Sequence, residues 1–195
     1  MCFNAQLIRR FNLREDSIIL YDIKGGNKEA FRELAERYST PLFRLSMGYL
    51  HSKEDAEDMV QEIFVKLYHS LDTFKGDSKF STWLYRIAVN TCLNEIARRK
   101  RRDIFTTFGD NMTRIFNLSG DSKNPEEQTI SEENIIRVRK AIESLPDKQQ
   151  TAFVLQKYKE LSQKEIAEIM QISEGAVEQH LMRAKSSLQK KLKER

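Results

Sequence analysis

Residues Phe80–Arg102 read FSTWLYRIAVNTCLNEIARRKRR, and the organisation of the chain follows from how this stretch is parsed. Leu84, Ile87, Ala88 and Thr91 recur at helical spacing, which predicts one long helix with an apolar stripe. Its front half carries the aromatic run Trp83-Leu84-Tyr85-Arg86, and its end carries five cations, Arg98 to Arg102. Asn90 and Asn94 sit one turn apart; an exposed Asn is a poor helix former and a good reader of adenine edges. Such a helix can keep one side in a protein core and turn the other to a nucleic acid.

Composition agrees with a helical protein. Of 195 residues only seven are Gly and three Pro, and charged residues make up 32%. The net charge of +4 is modest, but its placement is uneven: cations crowd into Arg98–Arg102 and Arg183–Arg195, while Asp103–Glu133 is acidic on balance. Two separated cationic patches suggest a polyanionic partner, although a solvated face is the commoner meaning of any single charge run. Cys2 and Cys92 are far apart, with no CxxC or Cys/His cluster, so neither a zinc site nor a disulfide framework is expected; Cys92 reads as a small core residue. No apolar run approaches a membrane span, and MCFNAQLIRRF lacks the hydrophobic region of a signal peptide. The expectation is a cytoplasmic protein without membrane insertion. No P-loop, paired-carboxylate cleft or nucleophile with a base is visible, which predicts a non-enzyme with no cofactor and no small-molecule substrate.

Residues 1–16 lack a clear period and read as an N-terminal extension. A short helix over Ser17–Lys24 is stopped by Gly25-Gly26, and Asn27 caps the next, with Phe31, Leu34, Ala35 and Tyr38 on one face. Thr40-Pro41 is read as a restart, Thr as cap and Pro in the first turn. Ser52 caps a helix whose stripe is Ala56, Val60, Ile63, Phe64 and Leu67; its other side carries Asp55, Asp58, Gln61, Glu62 and Val65. An acidic face is usually plain solvent exposure, yet Val65 among carboxylates leaves room for a basic protein partner. Asp72–Lys79 is a loop. Beyond Arg102 the period collapses until a second helical unit begins near Ser131, with Ile135, Val138, Ala141, Ile142 and Leu145 as its stripe up to Pro146. Asp147 is expected to cap the following helix, which turns Thr151, Val154, Leu155 and Tyr158 inward.

Ser162-Gln163-Lys164-Glu165 is a full capping box, Gln171-Ile172-Ser173 a turn, and Ser173 the cap of a last helix with Val177, Leu181, Ala184, Leu188 and Leu192 on one side. Helix, tight turn, helix, with the small Ala167 where the two cross, is the pattern of a helix-turn-helix. Its second helix would present Glu178, Gln179, Met182, Arg183 and Lys185 to a major groove, where Gln and Arg suit adenine and guanine and Glu suits cytosine. Gln171 stands where many such turns have Gly, at a cost if φ is positive there. An α-hairpin packing on protein is the bland alternative. The expected fold is all-α: a domain over 17–102, a flexible linker over 103–130, and a domain over 131–195 containing the helix-turn-helix.

With these motifs in this order, Leu20–Leu192 resembles an RNA polymerase sigma factor of the extracytoplasmic-function (ECF) group of the sigma-70 family. The resemblance is carried by Ala30-Phe31-Arg32-Glu33-Leu34, by Glu54-Asp55-Ala56-Glu57-Asp58-Met59-Val60-Gln61-Glu62-Ile63-Phe64, and by Phe80-Ser81-Thr82-Trp83-Leu84-Tyr85-Arg86-Ile87-Ala88-Val89-Asn90 with its basic tail. Leu145-Pro146 and the 162–187 helix-turn-helix complete it. It implies that 17–102 is sigma region 2 and 131–195 sigma region 4. Asp58, Gln61, Glu62 and Val65 would then dock on the β′ coiled coil of core polymerase. The −10 promoter element would be met by Phe74, Lys79, Phe80, Trp83, Arg86, Asn90, Asn94, Arg98, Arg99 and Arg101, with the loop at 72–80 holding a base flipped from the non-template strand. For Trp83, core packing is an equal alternative. Ser173, Glu178, Gln179, Met182, Arg183 and Lys185 would meet the −35 element, and the C-terminal unit the β flap. Glu178 and Gln179 depart from the more basic pair common in relatives, which puts the −35 sequence in doubt. Members of this group are often held by an anti-sigma factor, a separate chain. The competing readings are a helix-turn-helix regulator that never binds polymerase and an adaptor that binds protein only.

Overall fold

Helices account for every regular element of the structure, a computed structural model that describes residues 15–109, 127–159 and 161–193. In chain order they are α1 (Asp16–Lys24), α2 (Lys28–Leu50), α3 (Lys53–Ser70), a 3₁₀ turn (Leu71–Thr73), α4 (Phe80–Gly109), α5 (Glu127–Glu143), α6 (Asp147–Lys159), α7 (Gln163–Met170) and α8 (Glu174–Lys193). The extension before residue 15, with Cys2, lies outside the described residues, as does most of the connector between Arg102 and Ser131. Two helices nevertheless reach into that connector: α4 runs to Gly109 and α5 begins at Glu127.

Local chemistry accounts for most boundaries. Gly26 turns the chain between α1 and α2 at φ +87, a conformation that costs a residue without a side chain little. Asn27 Oδ1 then accepts from the Glu29 and Ala30 amides, and Ser52 Oγ accepts from the Asp55 amide at the start of α3. Asp147 does not cap α6. It is the first helical residue, and the Pro146 carbonyl accepts from the Gln149 and Gln150 amides.

The predicted restart at Thr40-Pro41 does not occur; α2 continues through Pro41. A proline inside a helix forfeits one hydrogen bond, which here is offset by burial on both sides of it, with Tyr38, Leu42 and Leu45 all in the core. The helix is also held from outside. Arg37 donates to Asp16 at 2.6 Å and the Tyr38 hydroxyl donates to the same carboxylate at 2.5 Å, tying α1 to α2.

The first unit, α1–α4, buries Leu34, Leu42, Leu45, Ile63, Leu67, Leu84 and Ala88 together, with Cys92 among them as expected. Burial pushes the Cys92 thiol up to about 12, so it packs as an apolar group. In the second unit the α5 stripe is only half used. Ala141, Ile142 and Leu145 pack on Ala184 and Leu188, whereas Ile135 and Val138 are 47% and 40% exposed. Ile135 and Val138 instead line an open groove with Met47 and His51 at the end of α2. Leu192, near the end of α8, is likewise partly exposed.

The two units are docked. One continuous apolar core runs from α1–α4 into Ala152, Val154, Leu155, Ile166, Ala167, Ile169, Val177 and Leu181. At its centre the buried Tyr49 hydroxyl and Thr151 Oγ1 are hydrogen-bonded at 3.0 Å.

Gln171, the C-cap of α7, adopts the left-handed conformation at φ 55, the strain anticipated for a non-glycine there. Gln171→Gly is therefore expected to stabilise the chain by about 1 kcal/mol, read as a raised urea midpoint with an unchanged m-value.

Candidate nucleic-acid interface

Burial of Leu84, Ala88 and Cys92 turns the opposite side of α4 to solvent. At about 100° per residue, Asn90, Asn94 and Arg101 fall within roughly 40° of one another around the axis, and all three are exposed. The loop before α4 is anchored by aromatic packing. Phe74 meets Phe80 edge-on at 5.7 Å between ring centroids and Trp83 tilted at 5.1 Å, and Phe80 meets Tyr38 at 5.7 Å. Phe80 is buried in this cluster, so of the predicted DNA contacts it has the least surface to offer. Phe74 and Trp83 are half-buried, packing on one side and open on the other. Lys79 is exposed, and Gly76 takes φ +83 at the loop tip.

The basic end of α4 is not a uniform cluster. Arg98 forks onto Glu95 with two bonds of 2.7 Å. Arg99 bonds Glu95 and also grips both carboxylate oxygens of Asp55 at 2.8 Å. That bidentate pair links α4 to the first turn of α3. The Arg99 guanidinium holds the Asp55 carboxyl below its ordinary range, and Arg98, then Arg99, does the same for Glu95. Arg99 is thus a clamp within the first unit. Arg86, half-buried, turns inward as well: its Nε and a terminal nitrogen donate to the Glu168 carbonyl at 3.2 and 2.7 Å. Neither the Arg99–Asp55 nor the Arg86–Glu168 contact is readable from spacing, because each joins residues distant in sequence; the Arg98 and Arg99 pairs with Glu95 lie at helical spacing.

On α3, Ala56, Met59, Ile63 and Leu67 face the core, and Asp58, Gln61, Glu62 and Val65 form one exposed face. Glu62 pairs with Lys66 at 2.7 Å, and Val65 is 57% exposed. Tyr68, three residues after Val65, extends the apolar part of this face and was not picked out from sequence; the Val65–Tyr68 spacing was the available signal. A groove of about 340 Å³ lined by Phe43, Val60 and Gln61 adjoins it between α2 and α3.

In the second unit the capping box at Ser162 and Glu165 is complete in both directions, and Ser173 Oγ accepts from the Ala176 amide at 3.2 Å. Ser173 therefore starts α8 as its cap. Val177, Leu181, Ala184 and Leu188 are buried, which leaves Glu178, Gln179, Met182, Arg183 and Lys185 exposed along one helix. Among the described residues no group of His, Cys, Asp and Glu could hold a metal, and no helix is long and apolar enough to cross a membrane.

A family profile for Sigma-70 region 2 matches residues 34–102, and one for Sigma-70 region 4 matches 135–188. The ECF RNA polymerase sigma-E factor of Escherichia coli strain K12 is 37% identical over 180 residues, spanning 91% of this chain and 94% of that protein. The chain belongs to the ECF group of the sigma-70 family. It is an alternative sigma factor. The RNA polymerase sigma-H factor of Pseudomonas aeruginosa is 33% identical over 181 residues, 91% of this chain and 94% of its own. Among solved structures, CnrH in complex with the cytosolic domain of CnrY matches with a TM-score of 0.61 at 25% identity, over 89% of this chain and 94% of that one. The sigma factor RpoE in complex with the anti-sigma factor NepR, from Bartonella quintana, shares the fold with a TM-score of 0.57 at 21% identity, over 84% and 97%.

The Asp55–Arg99 clamp has a definite pH signature. A carboxyl whose folded pKa is depressed stabilises the fold above its unfolded pKa, near 4, and loses that contribution as pH falls through the folded value. Asp55→Asn is expected to lower stability at pH 7 by about 1 kcal/mol, the clamp being partly solvated, with the gap to the parent closing below pH 4. Urea unfolding at pH 7 and pH 3 measures it; a gap of equal size at both values would contradict the assignment.

Proposed function

We propose that this sigma factor docks on the β′ coiled coil of core RNA polymerase through Asp58, Gln61, Glu62 and Val65, with Tyr68 extending the contact. Three surfaces on separate helices support this reading: an acidic face on α3, an Asn and Arg line on α4, and an exposed polar face on α8. The observation that carries it is that burial of each helix's apolar stripe leaves all three faces in solvent at once. A helix-turn-helix regulator has no use for the first two.

On the −10 side, Asn90 and Asn94 read exposed base edges, and Lys79 and Arg101 meet phosphates. Phe74 and Trp83 form the apolar lip of a pocket at 72–80 for a flipped base, with Phe80 as its floor. Arg98 contributes its charge from beside Glu95, and Arg99 acts by positioning α4 on α3. On the −35 side, α8 enters the major groove with Ser173 at its start. Glu178, Gln179 and Arg183 reach base edges, Met182 makes apolar contact, and Lys185 meets phosphate. The second unit also engages the β flap. The chain works in the cytoplasm, contributes no catalytic group, and leaves nucleotide chemistry to the polymerase; an anti-sigma factor is a fitting separate partner.

Run-off transcription with purified core polymerase on a bacterial promoter library tests this. Promoter-dependent initiation and co-elution with core are expected, and the absence of both defeats the reading. Asn90→Ala is expected to lower −10 discrimination about tenfold with core binding intact. Asp58→Arg is expected to weaken core binding and spare DNA discrimination. If both variants lose core binding alike, the division of faces is wrong.

A further inference from the structure

Arg98 stands between two destinations on α4. At about 100° per residue it lies roughly 40° around the axis from Asn94 and roughly 60° from Glu95. Asn94 belongs to the solvent line with Asn90 and Arg101, whereas Glu95 is in line with the buried Leu84 and Ala88. The guanidinium takes the second destination. Its Nε and a terminal nitrogen fork onto the two Glu95 carboxylate oxygens, both at 2.7 Å. Arg99 Nε donates to one of the same oxygens, also at 2.7 Å. The Glu95 side chain is 10% exposed and the Arg98 side chain 61%, so the carboxylate, not packing, draws Arg98 to that side.

Asp55, Glu95, Arg98 and Arg99 are thereby joined into one network of two carboxylates and two guanidiniums, with no net charge. Of the five cations from Arg98 to Arg102, two are matched within the protein itself. A carboxylate offers a guanidinium the same two-pronged geometry as a phosphate, so a phosphate has to displace Glu95 to engage Arg98. Phosphate contacts are the part of DNA binding that ignores sequence. Base contacts fix the register of a promoter over Asn90, Asn94 and Arg101, with Arg98 to one side. DNA without those contacts is free to shift toward the flank, where an unpaired Arg98 would meet its backbone.

We propose that Glu95 is a specificity-determining residue: it occupies Arg98 as an internal substitute for phosphate and so lowers affinity for DNA that lacks the promoter sequence. This rests on the assignment of α4 as the −10 reader. Its effect is on the ratio between promoter and other DNA, which decides occupancy when competing sites are in large excess.

The test uses the full chain loaded on core polymerase. Promoter duplex selected by the parent holoenzyme from a randomised pool is compared with a shuffled duplex of equal length, from about 0.1 to about 0.4 M KCl. Glu95→Gln keeps the shape and an acceptor oxygen but removes the charge. On shuffled duplex it is expected to steepen the salt slope by about 0.9, the share of one phosphate contact, and to raise affinity about fivefold at about 0.15 M salt. Promoter affinity is expected to rise by no more than about twofold, and the gain on shuffled duplex to vanish in Glu95→Gln/Arg98→Gln. Arg98→Lys keeps the charge without the fork, so Glu95 holds it less firmly; about twofold tighter shuffled binding is expected. That change is on the surface, and it decides the matter alone if Glu95→Gln loses helicity by circular dichroism. An unchanged slope in Glu95→Gln, an equal gain on both duplexes, a gain that persists without Arg98, or weaker shuffled binding by Arg98→Lys overturns the proposal and leaves the reader assignment standing. If Asn90→Ala holoenzyme selects the same −10 sequence as the parent, the reader assignment fails and the proposal falls with it.

Discussion

Burial of Leu84, Ala88 and Cys92 determines the direction of every other side chain on α4. A helix has a fixed angular step, so one apolar stripe locked into a core leaves no freedom for the rest. Asn90, Asn94 and Arg101 are turned to solvent for that reason, and Thr82 and Arg86 are turned to the second unit for the same reason. The aromatic cluster of Phe74, Phe80, Trp83 and Tyr38 extends the constraint to the loop before the helix. The loop can hold a shape because two of its ends are packed, not because its own polar residues are ordered by one another.

Charge on this helix is divided by geometry more than by count. Five cations in a row suggest a phosphate-binding strip, but Arg98 and Arg99 share Glu95, and Arg99 also grips Asp55. The Arg99 clamp joins the N-terminal turn of α3, where a carboxylate already complements the helix dipole, to the middle of α4. It fixes the angle between the helix proposed to meet the polymerase and the helix proposed to meet DNA. A lysine at 99 could supply the charge without the bidentate geometry, so the angle would be less well held.

Local signals in the sequence were legible. Asn27, Ser52, Ser173 and the Ser162–Glu165 box cap the helices they were expected to cap, and Gln171 takes the positive φ feared for it. Each depends on residues within four positions, which is the range over which a sequence pattern is physically informative. Asp147 is a local miss, one position inside the helix it was expected to cap; the other failures are long-range. Pro41 stays inside α2 because distant core residues outweigh one lost hydrogen bond. Ile135 and Val138 follow the correct period yet stay partly exposed, in a groove shared with the end of α2 rather than in the core. The Asp55–Arg99 pair spans 44 residues and the Arg86–Glu168 contact 82, so no spacing rule could have announced either.

Arg86 bridges the two units through a neutral acceptor. Its bonds go to a neutral carbonyl, not to a carboxylate. A guanidinium bonded to a phosphate gains charge assistance and bidentate geometry that a carbonyl cannot offer. The apolar part of the seam is the stronger constraint, since exposing Tyr49 and its neighbours to water is unfavourable, and the Tyr49–Thr151 hydrogen bond fixes the register in which α2 and α6 meet.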